Sequence, residues 1–500
     1  MNKLASALKN IVFKDPYKWN FWLIIAFAVR LVVFLTELNT NKFSHGITGV
    51  WGVADNDTYG YLGSIDNLIQ KGTYTPDLRM PGYGVFYLPL ALVFPKVVAC
   101  NILILVQFLL SAISTYLLPL IALQLFKKRV FFYATFYLYV TNIYSVSDDI
   151  FLLTESLTTS LLIGAVFCFV TYFKNYNKKR LVMAGVLLTG VIFMRPVFAV
   201  LLVFLLAILL VNLIKNKRAL ILPVVLFTSF FVLCDGSWII RNYKHYKRII
   251  PLTKALFDIK QAEPYLRPLI DFTRSFGGSI EWWDPRTESH WLVKDDTIAL
   301  DMNDTVFVLS KDTVYNGKRI PMAKGIPFAN DMYTSKFNLD SLMQLRKQLL
   351  QYKSDIKLPE AKRAELIEVI NNKLQVYTRS IEDEKPLSFH IKARWKLLKG
   401  FLSESSYEIP YIKFTFRIYH ILCLLILGFG ILGILLMSGY WIRLSVQSIV
   451  PLIPLFTIII HPLVLRLTVG RFFVPAFPFM IICAIYAVVW LKDRFLKIAQ

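Results

Sequence analysis

The acids and arginines that could do chemistry in this chain stand at the ends of apolar runs. Asp55 and Asp57 lie in DNDTYGYLGSIDNLI, and Arg79 in RMPGYG. Asp148, Asp149 and Glu155 fall close together. Arg195 precedes Pro196, Arg241 precedes Asn242 and Tyr243, and His461, Arg466 and Arg471 sit near the C-terminus. Carboxylates can deprotonate a hydroxyl or hold a metal. Arginines can grip a phosphate through a planar, bidentate fork. Taken singly, each residue has a plainer reading. Asp55 and Glu155 would serve as helix caps, Asp57 as a cap or solvated residue, and Asp148 and Asp149 as a helix end meeting water. Arg79 would be a solvated turn residue, Arg195, Arg241, Arg466 and Arg471 interface anchors, and His461 a satisfied polar end. What raises the set above these readings is that all of it is expected on one side of a membrane.

The membrane follows from composition. The 500 residues are 56% hydrophobic, and the mean hydropathy is +0.53. The apolar residues come in blocks of roughly 18 to 22, the length that crosses a bilayer core of about 30 Å as a helix. Phe (39), Tyr (25) and Trp (10) are abundant, and Tyr and Trp anchor helices at the interface. The net charge of +23 comes largely from Lys and Arg in short loops between blocks. That is the positive-inside pattern, and no nucleic-acid-binding motif accompanies it. Cys100, Cys168, Cys234, Cys423 and Cys483 each lie in an apolar block without a CxxC pair, so buried thiols are expected. Lys3, Lys9, Lys14 and Lys18 lead into a full-length apolar block without a small-residue cleavage site, so no cleavable signal peptide is expected.

About ten spans are expected, at 20–37, 97–120, 130–146, 155–173, 181–195, 197–214, 219–240, 414–437, 445–463 and 472–491. The stretch 84–96 is too short to cross and would lengthen the second span or lie in the interface. The N-terminal lysines fall on one side with Lys127, Lys128 and Arg129, with Lys174, Lys178, Lys179 and Arg180, with Lys215, Lys217 and Arg218, and with Lys492 and Arg494. That side is the cytoplasm. An N-terminal membrane module (1–240) and a C-terminal one (414–500) then flank an extracytoplasmic region, 241–413. Loop 38–83 lies outside with that region.

The outer region contains SFGGSIEWWDPRTESHW at 275–291, strand-like runs near 293–320 and a helical stretch at about 338–381. In that stretch Leu339, Leu342, Leu345, Leu349 and Tyr352 recur at helical spacing. A small α+β domain is expected there. Residues 388–402 (SFHIKARWKLLKGFL) have the pattern of a basic amphipathic helix at a membrane surface.

With these segments in order, the chain resembles the GT-C fold glycosyltransferases, and most of all the protein O-mannosyltransferase and aminoarabinose transferase group. Asp55-Asn56-Asp57-Thr58-Tyr59 stands where that group has a DExxY/F-like motif, with Asn56 in place of the second acid. Arg79-Met80-Pro81-Gly82-Tyr83 matches an R-x-P-x-Y-like turn. Thr154-Glu155-Ser156-Leu157, Arg195-Pro196 and Trp238-Ile239-Ile240-Arg241-Asn242-Tyr243 match later motifs. Arg471-Phe472-Phe473-Val474-Pro475-Ala476-Phe477-Pro478 resembles the closing RY-x-x-P-x-x-P. The likeness covers about 1–245 and 414–490. It implies a polytopic helical enzyme that moves a sugar from a polyprenyl-phosphate donor to a lipid, glycan or protein acceptor. It implies Asp55 as base or as ligand of a divalent metal; Asp57, Asp148, Asp149 and Glu155 are further candidate catalytic acids from their place on the expected outer face. Arg79, Tyr83, Arg195, Arg241, His461 and Arg471 would hold the donor phosphate or substrate. A bacterial inner membrane with the site facing outward is the implied setting.

A transporter or lipid flippase is the alternative, and an oligosaccharide transferase or ligase stays open within the enzyme class. A transporter predicts inverted repeats and polar breaks at mid-span. The sequence has neither, and the span centres are almost bare of charge. Arg30, deep in the first span, is an exception that the sequence does not explain.

Overall fold

The computed structural model describes residues 15–40, 47–54, 56–75, 79–142, 144, 147–253, 266–275, 333–354, 359–403, 413–465 and 470–498, together with five short strands between 298 and 326. Asp55 and Arg466 lie outside the described residues. The chain is a polytopic helical membrane protein. In order it forms α1 (Trp19–Thr40), α2 (Asn56–Lys71), α3 (Gly82–Val93), α4 (Lys96–Phe126), α5 (Arg129–Val140), α6 (Thr154–Asn175), α7 (Lys178–Met194), α8 (Ala199–Lys215) and α9 (Ile221–Tyr246). Then come α10 (Leu266–Ser275), strands β1 to β5, α11 (Leu339–Ser354), α12 (Glu360–Glu384) and α13 (Ala393–Ser403). Finally come α14 (Lys413–Leu436), α15 (Ile449–Ile458) and α16 (Phe477–Ile498). Every expected span meets a helix. Among the described residues, six segments are long and apolar enough to cross a bilayer by themselves: Trp19–Thr36, Lys96–Phe126, Thr154–Asn175, Pro196–Lys215, Ile221–Tyr246 and Val446–Val464. Of the helices at the other four expected spans, α5 and α7 are shorter, α16 carries Lys492, Asp493 and Arg494 in its second half, and α14 contains the shorter apolar stretch Ile421–Leu436.

The chain divides into two compact units. The first holds Met1–Lys254, Ser405–Thr457 and Arg471–Gln500; the second holds Ala255–Glu404 and Ile458–Gly470.

The outer surface of the first unit is apolar in a way that water would not tolerate. Ile24 on α1, Val203 on α8 and Leu233 on α9 are 68%, 65% and 68% exposed. A helical bundle with such a rim has lipid as its solvent, because helices satisfy their own backbone groups there. Inside, aromatic rings fill the space between α1, α4 and α5. Trp22 meets Phe136 edge-on at 4.8 Å and Phe132 at 5.1 Å, and its indole N–H donates to Asp15 O at 2.9 Å.

Three local features place the site. α3 is a helix of its own, ending at Phe94-Pro95, so it does not extend α4. Its first residue, Gly82, abuts the end of α7, where a Cβ would come within 2.4 Å of the Phe193 carbonyl carbon. α7 stops at Arg195 because the residue before a proline is pushed out of the helical region, and Arg195 is extended (φ −141°, ψ 94°). The loop at Val53 pairs with the turn at Ser147–Ile150. Val53 N–H donates to Ile150 O, and Leu152 N–H donates to Val53 O, both at 3.0 Å.

In the second unit, β1 (Ile298–Leu300), β2 (Val306–Leu309) and β5 (Ala323–Ile326) form an antiparallel sheet in the order β1-β2-β5. β3 (Thr313–Tyr315) pairs with β4 (Lys318–Ile320). Phe272 of α10 packs on Phe337 at 5.0 Å, and Phe337 on Tyr377 of α12 at 5.2 Å. Leu345 and Leu349, expected on the apolar face of α11, are fully buried.

Candidate functional site

Within the first unit, residues far apart in sequence form one ionic network. Asp57 sits in the first turn of α2, where a helix N-terminus favours an anion. Arg79 Nη2 donates to Asp57 Oδ1 at 2.5 Å. Arg471, from the turn Gly470–Phe473, donates to the other oxygen, Oδ2. Arg471 Nε also lies 3.5 Å from Glu155 Oε1. Glu155, in the first turn of α6, pairs directly with Arg195, whose Nε donates to Thr154 Oγ1 at 3.1 Å. Phe472 lies beneath two of the guanidiniums, 4.9 Å from Arg195 and 5.9 Å from Arg471. Tyr61 lies 5.2 Å from the Arg79 guanidinium and 5.5 Å from the Tyr83 ring. Such cation–π contacts orient the forks without using their N–H donors.

Burial graduates along the network. The Arg195 and Glu155 side chains are 9% and 2% exposed, whereas those of Asp57, Arg471 and Arg79 are 26%, 27% and 42% exposed. The inner pair is sealed, and the outer guanidiniums reach solvent. Burial pushes the Asp57 carboxyl up, but Arg79 and Arg471 outweigh it and hold the group below its ordinary value. Asp57 is therefore a poor proton acceptor.

Asp148 and Asp149 occupy the buried turn Ser147–Ile150. Burial, with Glu155 and Asp149 as neighbours, pushes the Asp148 carboxyl well above its ordinary value. Its Oδ2 has no hydrogen-bond partner among the described residues. Burial raises Asp149 to about 6, opposed by the Arg30 charge and by hydrogen bonds from Ser156 and Ser111. Ser156 Oγ donates to Asp149 Oδ1 at 2.5 Å. Arg30 is fully buried, donating to Tyr139 O at 3.1 Å and to Ser111 Oγ at 3.4 Å. It is the counter-charge for this turn, which explains an arginine in an apolar span. Gln107 completes the support. Its Nε2 donates to Asp149 O (3.1 Å) and Phe151 O (2.9 Å), and its Oε1 accepts from Tyr83 OH at 2.8 Å. Gln107 and Tyr61 carry no charge, and nothing in the sequence singled them out.

The structure thus brings together Asp57, Arg79, Glu155, Arg195 and Arg471, with Tyr83, Asp148 and Asp149 beside them. Two expected binders stand elsewhere. Arg241 donates to Tyr74 O at 3.0 Å and lies 5.0 Å from the Trp238 ring, while Tyr74 OH donates to Arg79 O at 3.0 Å. Its described contacts brace the segment that carries Arg79. His461 belongs to the second unit, buried in the π-helical turn Ile459–Val464 and stacked on Phe401. Among the described residues, no three His, Cys, Asp or Glu side chains gather as a metal would require. Both Asp57 oxygens are already held by guanidiniums, and Asp55, the acid the resemblance implies as metal ligand, lies outside the described residues.

Residues 83–257 match the model of the Alg9-like mannosyltransferase family. That is a GT-C fold glycosyltransferase family, and the match decides for an enzyme over a transporter: the chain is a membrane glycosyltransferase. The matched segment holds Tyr83, Asp148, Asp149, Glu155, Arg195 and Arg241; Asp55, Asp57, Arg79 and Arg471 lie outside it. Comparison with curated proteins and with solved structures found no match.

Proposed function

We propose that the enzyme transfers a sugar, a mannose by the description of the matched family, from a polyprenyl-phosphate donor to an acceptor hydroxyl. The observation that carries this reading is the arginine network: among the described residues Arg79 and Arg471 share Asp57, Arg195 pairs with Glu155, and the two outer guanidiniums reach solvent. A phosphate arriving there shares Arg79 and Arg471 with Asp57, which has pre-aligned both forks.

In this mechanism the acceptor oxygen attacks the anomeric carbon while the bond from that carbon to the phosphate oxygen breaks. The polyprenyl phosphate leaves with the bonding pair, and the acceptor proton passes to a base. Asp57 is held anionic by its arginines and serves poorly as that base; the resemblance implies Asp55 for the role. Charge grows on the leaving phosphate as the bond lengthens, so Arg79 and Arg471 stabilise the transition state more than the ground state. Asp148, whose buried carboxyl is pushed well above its ordinary value and keeps an oxygen without a partner among the described residues, is the candidate to hydrogen-bond the donor sugar. Lipid, glycan and protein acceptors all present the required hydroxyl. The positive-inside charges argue for a site on the extracytoplasmic face, in a bacterial setting the outer side of the inner membrane.

The test is transfer from a short-chain polyprenyl-phosphate mannose by the purified enzyme in detergent. Arg471→Ala should lower the rate by about 10²–10³, as loss of one charge-stabilising donor does. Arg471→Lys should fall between, because it keeps the charge and loses the fork. Wild-type enzyme that transfers sugar only from soluble nucleotide donors would overturn the reading.

A further inference from the structure

The helix that runs from the π-helical turn Ser388–Lys392 into α13 has apolar residues on two opposite faces. One face is spent inside the second unit: Phe389, Ala393, Leu397 and Phe401 are 6%, 2%, 0% and 0% exposed. They recur every four residues, as one helical stripe does. The other face bears Leu387, Ile391 and Trp395, which are 69%, 61% and 66% exposed. Water alone would be a costly neighbour for three such side chains in a row, and a contiguous apolar patch of this kind marks an interaction surface.

The composition around that patch selects its occupant. Lys385, Lys392, Arg394, Lys396 and Lys399 accompany it, and residues 385–403 contain no Asp or Glu. Lys392, Lys396 and Lys399 are exposed beside the apolar stripe. An apolar stripe rimmed by lysines, with a tryptophan within it, suits the boundary between acyl chains and anionic headgroups. Phe401, near the end of the same helix, stacks on His461 with the rings 5.8 Å apart and 8° from parallel. His461 lies in the last turns of the membrane span Val446–Val464. The buried face of the helix is thus packed against the end of an apolar stretch.

We infer that the face formed by Leu387, Ile391 and Trp395 lies in the headgroup layer of an anionic bilayer, with Lys392, Lys396 and Lys399 on the lipid phosphates. The second unit is then held at the membrane surface by lipid contacts of its own, besides its chain connections. Each surface lysine adds attraction of about 1 kcal/mol to an anionic leaflet, close to fivefold in partitioning.

The experiment uses the full-length enzyme in nanodiscs of phosphatidylcholine alone or mixed with phosphatidylglycerol. Ile391→Cys, in a background lacking the other cysteines, is labelled with an environment-sensitive dye. The expected result is blue-shifted emission, quenched by lipids brominated near the headgroup and shielded from aqueous iodide. Replacing Lys392, Lys396 and Lys399 together by Glu should reverse the quenching in phosphatidylglycerol discs. Where the cysteine background fails to fold, wild type and Trp395→Phe supply the same reading, since bromolipid should quench a component of the emission that the variant lacks. Water-like emission with full iodide access would overturn the inference. So would cross-linking of position 391 between two enzyme molecules in place of lipid quenching, which would make the occupant a second copy.

Discussion

Arg195→Ala separates what holds the site together from what acts in it. Arg195 and Glu155 form an ion pair whose side chains are 9% and 2% exposed. Removing the guanidinium leaves the Glu155 carboxylate buried with only Thr154 and the longer 3.5 Å approach of Arg471 Nε to answer it. Breaking a buried pair from one side costs about 3–5 kcal/mol. The first unit is larger than about 250 residues, so at about 1–2 °C per kcal/mol the melting temperature should fall by about 3–10 °C. The double variant Arg195→Met, Glu155→Leu removes both charges and keeps the volume, so its stability should return to within about 1 kcal/mol of wild type or exceed it. Its transfer activity should stay lost, because Glu155 also steadies Arg471 at the proposed phosphate site. The assay is thermal unfolding in detergent beside initial rates at matched protein level. A single variant that melts within about 1 °C of wild type would refute the reasoning. A double variant no more stable than Arg195→Ala would refute it as well.

Asp149 gives a pH signature. Its carboxyl stands at about 6 in the folded protein against 3.8 otherwise, so the folded state binds the extra proton. Stability should therefore be greatest below pH 4 as far as this group is concerned, and fall by roughly 3 kcal/mol between pH 4 and 6. Asp149→Asn should flatten that slope, and an unchanged slope would remove the assignment. Gly82→Ala should cost about 1–3 kcal/mol in chemical denaturation, because its Cβ would meet the Phe193 backbone at 2.4 Å and backbone yields little. A neutral outcome would mean that α3 can slide away from α7.

The spans were legible because a 20-residue apolar block has few other uses, and each expected block became a helix. The acids and arginines were legible one by one for a related reason: charge at the edge of an apolar run is expensive unless it is used. Their partnerships were not. Glu155 and Arg195 lie at the two ends of the α6–α7 hairpin, and Asp57 and Arg471 near opposite ends of the chain, so the pairing depends on how whole helices pack. The same limit applied to Arg241, whose motif pointed to phosphate while its guanidinium turned to the Tyr74 carbonyl. His461 likewise belongs to the second unit. Arg30 stood out in the sequence but gained a reason only when α1 came against the turn that bears Asp149. Gly82 read as a turn residue in RMPGYG, and its actual constraint is the close approach of α7.

The central claim is that Arg79 and Arg471 hold a lipid-linked phosphate. Equilibrium binding of a polyprenyl phosphate, compared with the uncharged polyprenol of the same length, tests it most directly, because the pair differs only in the group the arginines would touch. Wild-type enzyme should prefer the phosphate. A hydrogen bond to a charged group contributes about 1.5–3 kcal/mol, so Arg471→Ala should weaken phosphate binding by about 10- to 100-fold and leave polyprenol binding unchanged. Equal binding of phosphate and alcohol by wild type would contradict the account, as would a preference that survives undiminished in both Arg79→Ala and Arg471→Ala.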